Sequence, residues 1–173
     1  MAASAEGFDM VGRRWLLLTV VLAAGPVAPA WGQAAARLSD TDRAAVFKAA
    51  GAMQRDGKWI ICADDPEPSG ASIDEVRDLN GDGRPEAVVS EGGTFCYGFT
   101  GTGFQLLGRQ ADGSWRRITG DIGIPEFLKT RGVDGWPDIS IGGPGFCFPV
   151  QRWNGREYVV QRHEYEGKPC QPG

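Results

Sequence analysis

The chain has 173 residues, 42% of them hydrophobic and 23% charged, with a formal net charge of −4 at pH 7. This length is enough for one ordinary domain. The acidic balance argues against a nucleic-acid partner, because such partners are held mainly by lysine and arginine contacts to phosphate.

The first 32 residues have the layout of a secretory signal peptide. Arg13 and Arg14 precede a short apolar run, Trp15–Ala24, which gives way to prolines and small residues. A membrane-spanning helix needs about 20 apolar residues, roughly twice the length of this run. We therefore expect cleavage near residues 30–32, a periplasmic or secreted mature chain, 33–173, and no stable membrane anchor. The paired arginines leave twin-arginine export open as an alternative to the general secretory route.

The mature chain opens with one predicted helix. Ser39 is a typical N-cap, and Asp42 three residues later forms a capping box with Asp in place of Glu. Apolar residues follow at helical spacing and predict one buried face. These residues are Ala45, Val46, Ala49 and Met53.

From Trp59 onward, short apolar runs alternate with turns rich in Gly, Pro, Asn and Asp. This alternating pattern predicts a mainly β fold of short strands. Asp112-Gly113 and Asn154-Gly155 are typical hairpin turns. The predicted strands are Trp59–Ala63, Ser72–Val76, Glu86–Ser90, Phe95–Phe99, Phe104–Gly108, Ser114–Thr119, Pro137–Ile141, Phe146–Trp153 and Glu157–His163.

The layout contains an internal repeat. The segment 82–89, DGRPEAVV, resembles the segment 134–141, DGWPDISI, which follows 52 positions later. Phe95-Cys96-Tyr97 resembles Phe146-Cys147-Phe148 at an offset of 51. Chance similarity between glycine-rich turns is the alternative explanation.

A repeat of this length is the size of a four-stranded sheet, and two copies are too few to close a propeller. We therefore predict two small antiparallel sheets that arose by internal duplication. Their repeats cover about 78–119 and 130–170. The sheets share one core in a sandwich-like arrangement, and the N-terminal helix covers one end.

Four cysteines lie in the mature chain, and an even number in an exported protein suggests two disulfides. Cys96 and Cys147 occupy equivalent positions of the repeat, and each half has one further cysteine. This favours the pairs Cys62–Cys96 and Cys147–Cys170. A Cys96–Cys147 cross-link between the two copies is the alternative.

The acidic loop Asp78–Glu86 carries the clearest chemistry. Oxygen-bearing side chains stand at its first, third, fifth and ninth positions, and Gly83 permits a sharp turn at the sixth. Calcium prefers six to eight oxygen ligands in a flexible geometry, and a divalent ion would relieve the repulsion among three carboxylates. The predicted Ca²⁺ ligands are Asp78, Asn80, Asp82, Arg84 through its carbonyl, and Glu86.

This loop resembles the calcium loops of FG-GAP and VCBS-type repeats, in which a D-x-N-G-D-G-x-x-[DE] segment enters a strand. The resemblance covers Asp78 to about Ser90, and more loosely Pro137–Ile141. It implies calcium bound between strands of a propeller blade by the loop residues named above. An EF-hand is less similar, because Val89 stands where that motif has its bidentate glutamate.

The second copy of the turn has kept fewer ligands. Asp134 and Asp138 remain, but Thr130 and Gly132 stand at the positions equivalent to Asp78 and Asn80. Two carboxylates without the amide make a poor calcium site, so we predict a structural turn there.

Catalytic residues are poorly supported. His163 is the single histidine, and its neighbour Glu164 points to the opposite face of a strand, so the two do not form a dyad. Asp64, Asp65 and Glu67 are expected to form a solvated loop.

The aromatic residues of the second copy are expected to pack in the core, although an exposed subset would form a carbohydrate- or protein-binding face. They are Trp136, Phe146, Phe148, Trp153 and Tyr158.

The sequence thus favours an exported, non-catalytic binding or envelope-associated module that is stabilised by one calcium ion and two disulfides. Its expected partner is an envelope protein or a carbohydrate. A small secreted hydrolase with clustered carboxylates is the alternative, and a purely structural envelope protein is a third possibility.

Overall fold

A computed structural model describes residues 38–172, which all lie in one compact unit of the chain, Gln33–Gly173. The predicted signal peptide, 1–32, lies outside the described residues. Strands are the dominant regular structure, which confirms the mainly β fold.

The helices and strands are short. The helices are α1 (Asp40–Ala49) and α2 (Thr94–Tyr97), and 3-10 turns cover Gly98–Thr100 and Val133–Gly135. The strands are β1 (Met53–Arg55), β2 (Lys58–Ile60), β3 (Ala71–Arg77), β4 (Glu86–Gly92), β5 (Thr102–Arg109), β6 (Trp115–Ile122), β7 (Ile124–Arg131), β8 (Pro137–Gly142), β9 (Phe148–Trp153), β10 (Tyr158–Tyr165) and β11 (Lys168–Pro169).

Helix α1 begins where its N-cap predicts. The backbone N–H of Asp42 donates to Ser39 Oγ at 3.1 Å, which satisfies one of the free amides of the first turn. The buried side chains of α1 are Val46 and Phe47. The expected contribution of Met53 to this face is wrong, because the helix ends at Ala49 and Met53 begins β1 with its side chain half exposed.

The strands form three antiparallel sheets. Strands β3 to β6 follow one another as a four-stranded meander, and β7 to β11 follow as a five-stranded meander. The third sheet is a small hairpin of β1 and β2, which the sequence did not predict as a separate sheet. The duplication that would relate the two larger sheets stays a prediction.

The four-stranded sheet is covered on both faces. Ala87 and Val89 on β4 pack against Val46 and Phe47 of α1. Val88, between them in sequence, points to the other face and packs in a second core. Because neighbouring residues of β4 bury opposite faces, this strand is apolar throughout its centre.

The second core lies between the two larger sheets. Leu106 from β5 meets Ile139 from β8 and Trp153 from β9 there. Helix α1, the four-stranded sheet and the five-stranded sheet therefore form three successive layers. The alternation along β8 turns Asp138 away from the four-stranded sheet.

Two parts of the strand prediction are wrong. The segment Phe95–Phe99, predicted as a strand, contains α2 and a 3-10 turn. Gly98 within this segment and Gly101 just after it have positive φ values of 53° and 68°, which break an extended run. Strand β7 was not predicted; it contains Pro125 and is an edge strand of its sheet, where proline is tolerated.

The meanders place alternate connections at opposite ends of the molecule. The loops β3–β4, β5–β6, β7–β8 and β9–β10 lie at one end, here called the acidic end. The loops β4–β5 and β8–β9 lie at the opposite end, here called the disulfide end. Disulfides Cys62–Cys96 and Cys147–Cys170 hold these two loops, with Cα–Cα distances of 6.1 and 5.6 Å.

Candidate functional site

The loop Asp78–Glu86 connects β3 to β4 at the acidic end and wraps around its first carboxylate. The N–H groups of Gly81 and Gly83 donate to the two carboxylate oxygens of Asp78, at 2.7 and 2.9 Å. Both glycines have φ near +83°, a region that L side chains rarely occupy. The glycines therefore let the backbone amides converge on one negative charge.

The next two oxygen-bearing side chains form further turns within the loop. Asn80 Oδ1 accepts the N–H of Asp82 at 2.9 Å, and Asp82 Oδ1 accepts the N–H of Arg84 at 2.8 Å. Asn and Asp favour this local bonding, which fixes the turn without regular structure. The Arg84 guanidinium also forms an ion pair with the Asp82 carboxylate.

Glu86 lies beneath this loop with only 2% of its surface exposed. Its Oε2 accepts the N–H of Leu79 at 2.7 Å. Burial raises the pKa of Glu86 to about 7 against the pull of the Leu79 amide, and the negative charges of Asp82 and Asp78 raise it further. Among the described residues, no lysine or arginine forms an ion pair with this carboxylate.

The donor set of the loop suits calcium, although it is not a preassembled metal cluster. Within residues 38–172, no three His, Cys, Asp or Glu side chains converge as metal ligands. The side chains at the four ligand positions all present oxygen, and the buried Glu86 carboxylate has two like charges nearby instead of a cation. A divalent ion would supply the positive charge that is missing near Glu86. Asp82 would then coordinate the metal instead of pairing with Arg84.

The equivalent turn of the second sheet touches this loop directly. A side chain at Gly135 would place its Cβ only 2.4 Å from the carbonyl oxygen of Asn80, so glycine is required there. Arg131 Nη1 donates to the carbonyl of Leu79 at 2.8 Å and also to the carbonyl of Gly135. The two turns are therefore held together by backbone contact and by one arginine.

Asp138, which the predicted repeat aligns with Glu86, lies on β8 and is fully buried. Arg152 donates to both of its oxygens, each at 2.8 Å. Arg162 Nη1 and Thr130 Oγ1 donate to Asp138 Oδ2 at 2.7 and 2.6 Å. Burial opposes ionisation, but the bonds from Arg152, Thr130 and Arg162 outweigh it and hold the pKa of Asp138 well below its usual range.

A cavity of about 410 Å³ opens between the two larger sheets at the acidic end. Loop residues Asp82 and Glu86 form one part of its wall, and Asp134 of the second turn forms another. The sequence did not indicate the remaining polar wall, because it comes from separate strands and turns. That wall includes Arg109, Gln110, Arg116, Trp136 and Trp153.

A wider depression of about 810 Å³ lies along β9, β10 and the end of β7. Its two arginines already have structural partners. Arg131 holds the two turns together, and Arg152 holds Asp138. This depression therefore offers fewer free polar groups than the cavity between the sheets.

The disulfide end exposes large apolar side chains. Phe99 is fully exposed, Phe146 is 72% exposed and Phe95 is 61% exposed, and all three lie in the two disulfide-held loops. By contrast, Trp136 and Trp153 are buried between the sheets. The expectation of core packing is therefore right for these tryptophans and wrong for Phe146.

The candidate catalytic groups are separated from one another. His163 lies on β10 opposite Pro149, while its neighbour Glu164 is bound by Arg162. The expectation that Asp64, Asp65 and Glu67 form a solvated loop is wrong for Asp65, because its side chain is buried. Its side chain accepts the N–H of Glu67 at 2.9 Å, which stabilises the turn.

None of the helices in the described part of the chain is long and apolar enough to cross a membrane. Comparison with known proteins gives no match among protein-family models, curated protein sequences or solved structures. The resemblance to FG-GAP and VCBS-type loops thus depends on the loop residues alone.

Proposed function

We propose that this chain is an exported, non-catalytic binding module of the periplasm or the extracellular space. One calcium ion in the loop Asp78–Glu86 braces the acidic end, and two disulfides brace the other end. Calcium supplies positive charge and oxygen coordination there. The ligands are the side chains of Asp78, Asn80, Asp82 and Glu86 and the carbonyl of Arg84.

The buried carboxylate of Glu86 is the observation that carries this proposal. A buried carboxylate without a cation carries a high desolvation cost, and proteins usually pair such a group or bind a metal to it. Asp138 in the second sheet has two arginines as partners, whereas Glu86 has only the backbone amides of Leu79 and Asn80 and two negative neighbours. An external cation is the simplest partner that would balance Glu86.

The compartment follows from the disulfides and the N-terminal sequence. Disulfides Cys62–Cys96 and Cys147–Cys170 indicate an oxidising environment. Export through the predicted signal peptide would deliver the chain to such an environment. Calcium is a plausible resident ligand outside the cytoplasm, where sites with weak affinity are still occupied.

A binding role is supported by the disulfide end. Exposed apolar patches on a small protein often mark interaction sites. Phe95 and Phe99 lie on one disulfide-held loop and Phe146 on the other, so cross-links fix the loops that present these rings. Rigid loops lose less conformational freedom when they bind a partner.

Isothermal titration of the exported protein with CaCl₂, after removal of metal by chelator, tests the proposal. We expect one binding event per chain and a rise in melting temperature when calcium is restored. Asp78→Asn should weaken binding at least about tenfold, since it removes a charged ligand. Asp112→Asn, a change in the exposed β5–β6 turn, is the matched control and should bind normally.

An absence of binding heat together with an unchanged melting temperature at millimolar calcium would refute the calcium proposal. Equal losses of affinity in Asp78→Asn and Asp112→Asn would instead indicate nonspecific attraction to acidic surface.

A secreted hydrolase is the second candidate, and one observation favours it. Glu86 has a pKa of about 7, in the range of a general acid, and it lines a cavity together with Asp134. A general acid needs a second carboxylate facing the same bond. Incubation of the metal-free protein with soluble polysaccharides separates the candidates, because a Glu86 that coordinates calcium cannot donate a proton: release of reducing sugar that Glu86→Gln abolishes would establish the hydrolase.

A further inference from the structure

The disulfide end presents its apolar side chains on connections that contain no charged residue. We infer that this end docks on the surface of a lipid bilayer, shallowly and reversibly, with the rings of Phe95, Phe99 and Phe146 among the headgroups and the first acyl carbons. This inference rests on the proposed function for the export of the chain and for the disulfide end as its binding surface. It does not require calcium.

A third connection also lies at the disulfide end. It is the short link between β6 and β7, which joins the two larger sheets. The N–H of Gly123 in this link donates to the carbonyl of Thr102, which follows the β4–β5 loop, at 3.1 Å. Ile124 pairs with Gly142, which precedes the β8–β9 loop. The link therefore adjoins both disulfide-held loops.

The two disulfide-held loops also adjoin each other, and with the link they form one surface, here called the apolar surface. A Cβ at Gly143 would lie 3.5 Å from Thr100 Oγ1, which is ordinary van der Waals contact. Phe146 packs edge-on against Tyr165 at the end of β10, with ring centroids 6.3 Å apart. Exposed patches of several apolar side chains mark sites of protein or membrane contact. The large apolar side chains exposed on this surface are Phe95, Phe99, Ile122, Ile124, Phe146 and Tyr165.

Charge distinguishes the two ends of the molecule. The chain has no Asp, Glu, Lys, Arg or His in residues 92–108, 122–125 and 139–151, which contain the three connections of the apolar surface. Charged side chains are costly inside a bilayer, so an uncharged end is the one that lipid accepts. Anionic headgroups repel carboxylates, and each of the four loops at the acidic end has at least one. These carboxylates include Asp78, Asp112, Asp134 and Glu157.

The rim of the apolar surface indicates which force drives docking. Charged residues at this rim include Asp121, Glu166 and Lys168, so both signs are present. Attraction to anionic lipid usually requires a cluster of lysine and arginine residues. Docking through this surface would therefore depend on the burial of apolar area and not on the charge of the lipid.

The chemistry of the loops favours a bilayer over a folded protein as the partner. Phe99 is fully exposed and Phe146 is 72% exposed, so both rings project from their loops. A protein interface typically surrounds such rings with a polar rim and about ten hydrogen bonds. The β8–β9 loop, 143–147, contains only Gly, Pro, Phe and a disulfide-bonded cysteine, and the Tyr97 hydroxyl of the other loop already donates to Glu91 at 2.7 Å. A lipid surface requires neither a fitted pocket nor such bonds.

Glu91 anchors the β4–β5 loop from within the protein. This carboxylate is buried, and its Oε2 accepts the N–H of Cys62 at 2.6 Å and the hydroxyl of Tyr97 at 2.7 Å. Cys62 is also bonded to Cys96, so the carboxylate and the disulfide fix the same part of the loop. A loop held in this way loses little conformational freedom when it docks.

The backbone of the loops limits the depth of docking. Irregular loops have N–H and C=O groups that no strand partner binds, and such groups are costly in hydrocarbon. Insertion is therefore restricted to about 5–10 Å, where water and headgroups still reach the backbone. This depth is enough for the projecting rings but not for the sheets behind them.

Flotation of the exported protein with phosphatidylcholine vesicles, with chelator present throughout, tests the inference. We expect the protein to float with the vesicles. Replacement of half of the lipid by phosphatidylglycerol should not increase the bound fraction, and high salt should not release it, because the rim has both signs of charge. Binding that requires phosphatidylglycerol would overturn docking through apolar side chains.

Substitution of the most exposed ring should weaken vesicle binding. Phe99→Ala should reduce the affinity at least about tenfold, because it removes a large apolar side chain from the contact. Val133→Ala is the control and should float as the unsubstituted protein does, since Val133 is an exposed apolar residue in the β7–β8 turn at the acidic end. Equal melting temperatures would show that both variants remain folded.

A tryptophan at the same position reports where the ring lies. Phe99→Trp keeps an aromatic ring and should bind vesicles as the unsubstituted protein does. Its added indole emission should shift to shorter wavelengths on vesicles and be quenched by lipids with brominated acyl chains, beyond any change in the unsubstituted protein. An unchanged emission from this indole on bound protein would overturn the inference.

Three further results would overturn the inference and leave the calcium proposal intact. The first is the absence of flotation, and the second is flotation that Phe99→Ala does not weaken. The third is self-association that Phe99→Ala abolishes in a protein that binds no vesicles, which would make a second copy of the chain the partner. Because chelator is present in every flotation, the calcium titration succeeds or fails independently of these results.

Discussion

Glu86 and Asp138 each lie near the start of the second strand of their sheet, β4 and β8, and both are buried. The surroundings of the two carboxylates shift their pKa values in opposite directions. Glu86 receives a backbone N–H from Leu79, and its pKa rises to about 7. Asp138 receives bonds from Arg152 and Arg162, and its pKa falls well below the usual range.

One further pair of residues sharpens this contrast. The predicted repeat aligns Asp78 of the loop with Thr130 on β7. Asp78 adds negative charge near Glu86, whereas Thr130 donates a hydrogen bond to Asp138 at 2.6 Å. Asp138 is therefore compensated by side chains of neighbouring strands, whereas Glu86 has no cationic partner among the described residues.

The two carboxylates also face different surroundings. Glu86 shares the face of Val88, which packs against the five-stranded sheet, while Asp138 points away from the four-stranded sheet. The far face of the second sheet thus carries a network of charged side chains where the first sheet has an apolar partner.

Substitution of Asp138 should have the largest effect on stability. Asp138→Asn leaves Arg152 and Arg162 without their shared negative partner in a buried site. We expect a loss of about 3 kcal/mol in the free energy of unfolding, measured by urea denaturation. Glu164→Gln is the control: it also removes a carboxylate from Arg162, but one that is 21% exposed instead of fully buried, and should cost less, about 1 kcal/mol. Equal losses in the free energy of unfolding would mean that Asp138 contributes no more to stability than Glu164 does.

The same chemical change at Glu86 should behave differently. Glu86→Gln removes a buried charge that lacks a cation, so without calcium we expect a change within about 1 kcal/mol. Calcium at 100 times its dissociation constant should stabilise the unsubstituted protein by about 2.7 kcal/mol. The Gln variant should lose most of that gain because a charged ligand is missing.

Urea denaturation of both proteins, with and without calcium, gives the four free energies required. A metal-free Glu86→Gln variant as unstable as Asp138→Asn would contradict the contrast between the two carboxylates.

Acid should expose the contribution of Asp138 without substitution. Because its pKa in the folded protein lies below the ordinary value of 3.8, folding favours the ionised form. This stabilisation is fully present above about pH 4 and is lost as the pH falls through the folded-state pKa. The free energy of unfolding should therefore fall more steeply from pH 4 to pH 2 in the unsubstituted protein than in Asp138→Asn. The effect is smaller than that of the substitution, since Asp138 is only partly protonated in this range. The same pH dependence of the free energy of unfolding in the two proteins would contradict this prediction.

Local sequence features predicted much of the fold. Ser39 indicates the start of α1, and Asn154-Gly155 lies between β9 and β10 as a hairpin turn should. The alternation of short apolar runs and turns predicted the mainly β class. These features depend on a few neighbouring residues, so they are visible without knowledge of tertiary contacts.

The features that the sequence did not predict depend on strand register. The contact between Arg152 and Asp138 requires β9 to pair with β8 so that Ser140 lies opposite Val150. The placement of Arg116 in the cavity requires a similar alignment of β4, β5 and β6. Neither register is marked by a local motif, so the turns of the loop Asp78–Glu86 were predictable from its own residues and the surrounding charges were not.

The smallest expected effect on stability is that of a substitution at Asp134. This substitution tests whether the turn that contains Asp134 has only a structural role. Asp134 has a φ of 53°, which is unfavourable for a residue with a side chain but natural for glycine. Asp134→Gly should therefore stabilise the protein slightly, by less than about 1 kcal/mol. Calcium affinity should stay the same if the ligands all come from the first loop. Calcium titration and urea denaturation of this variant check both expectations. A several-fold loss of affinity would mean that Asp134, which lines the same cavity as Glu86, belongs to the metal site. The two turns would then form one shared site, and the division between a metal-binding turn and a structural turn would no longer hold.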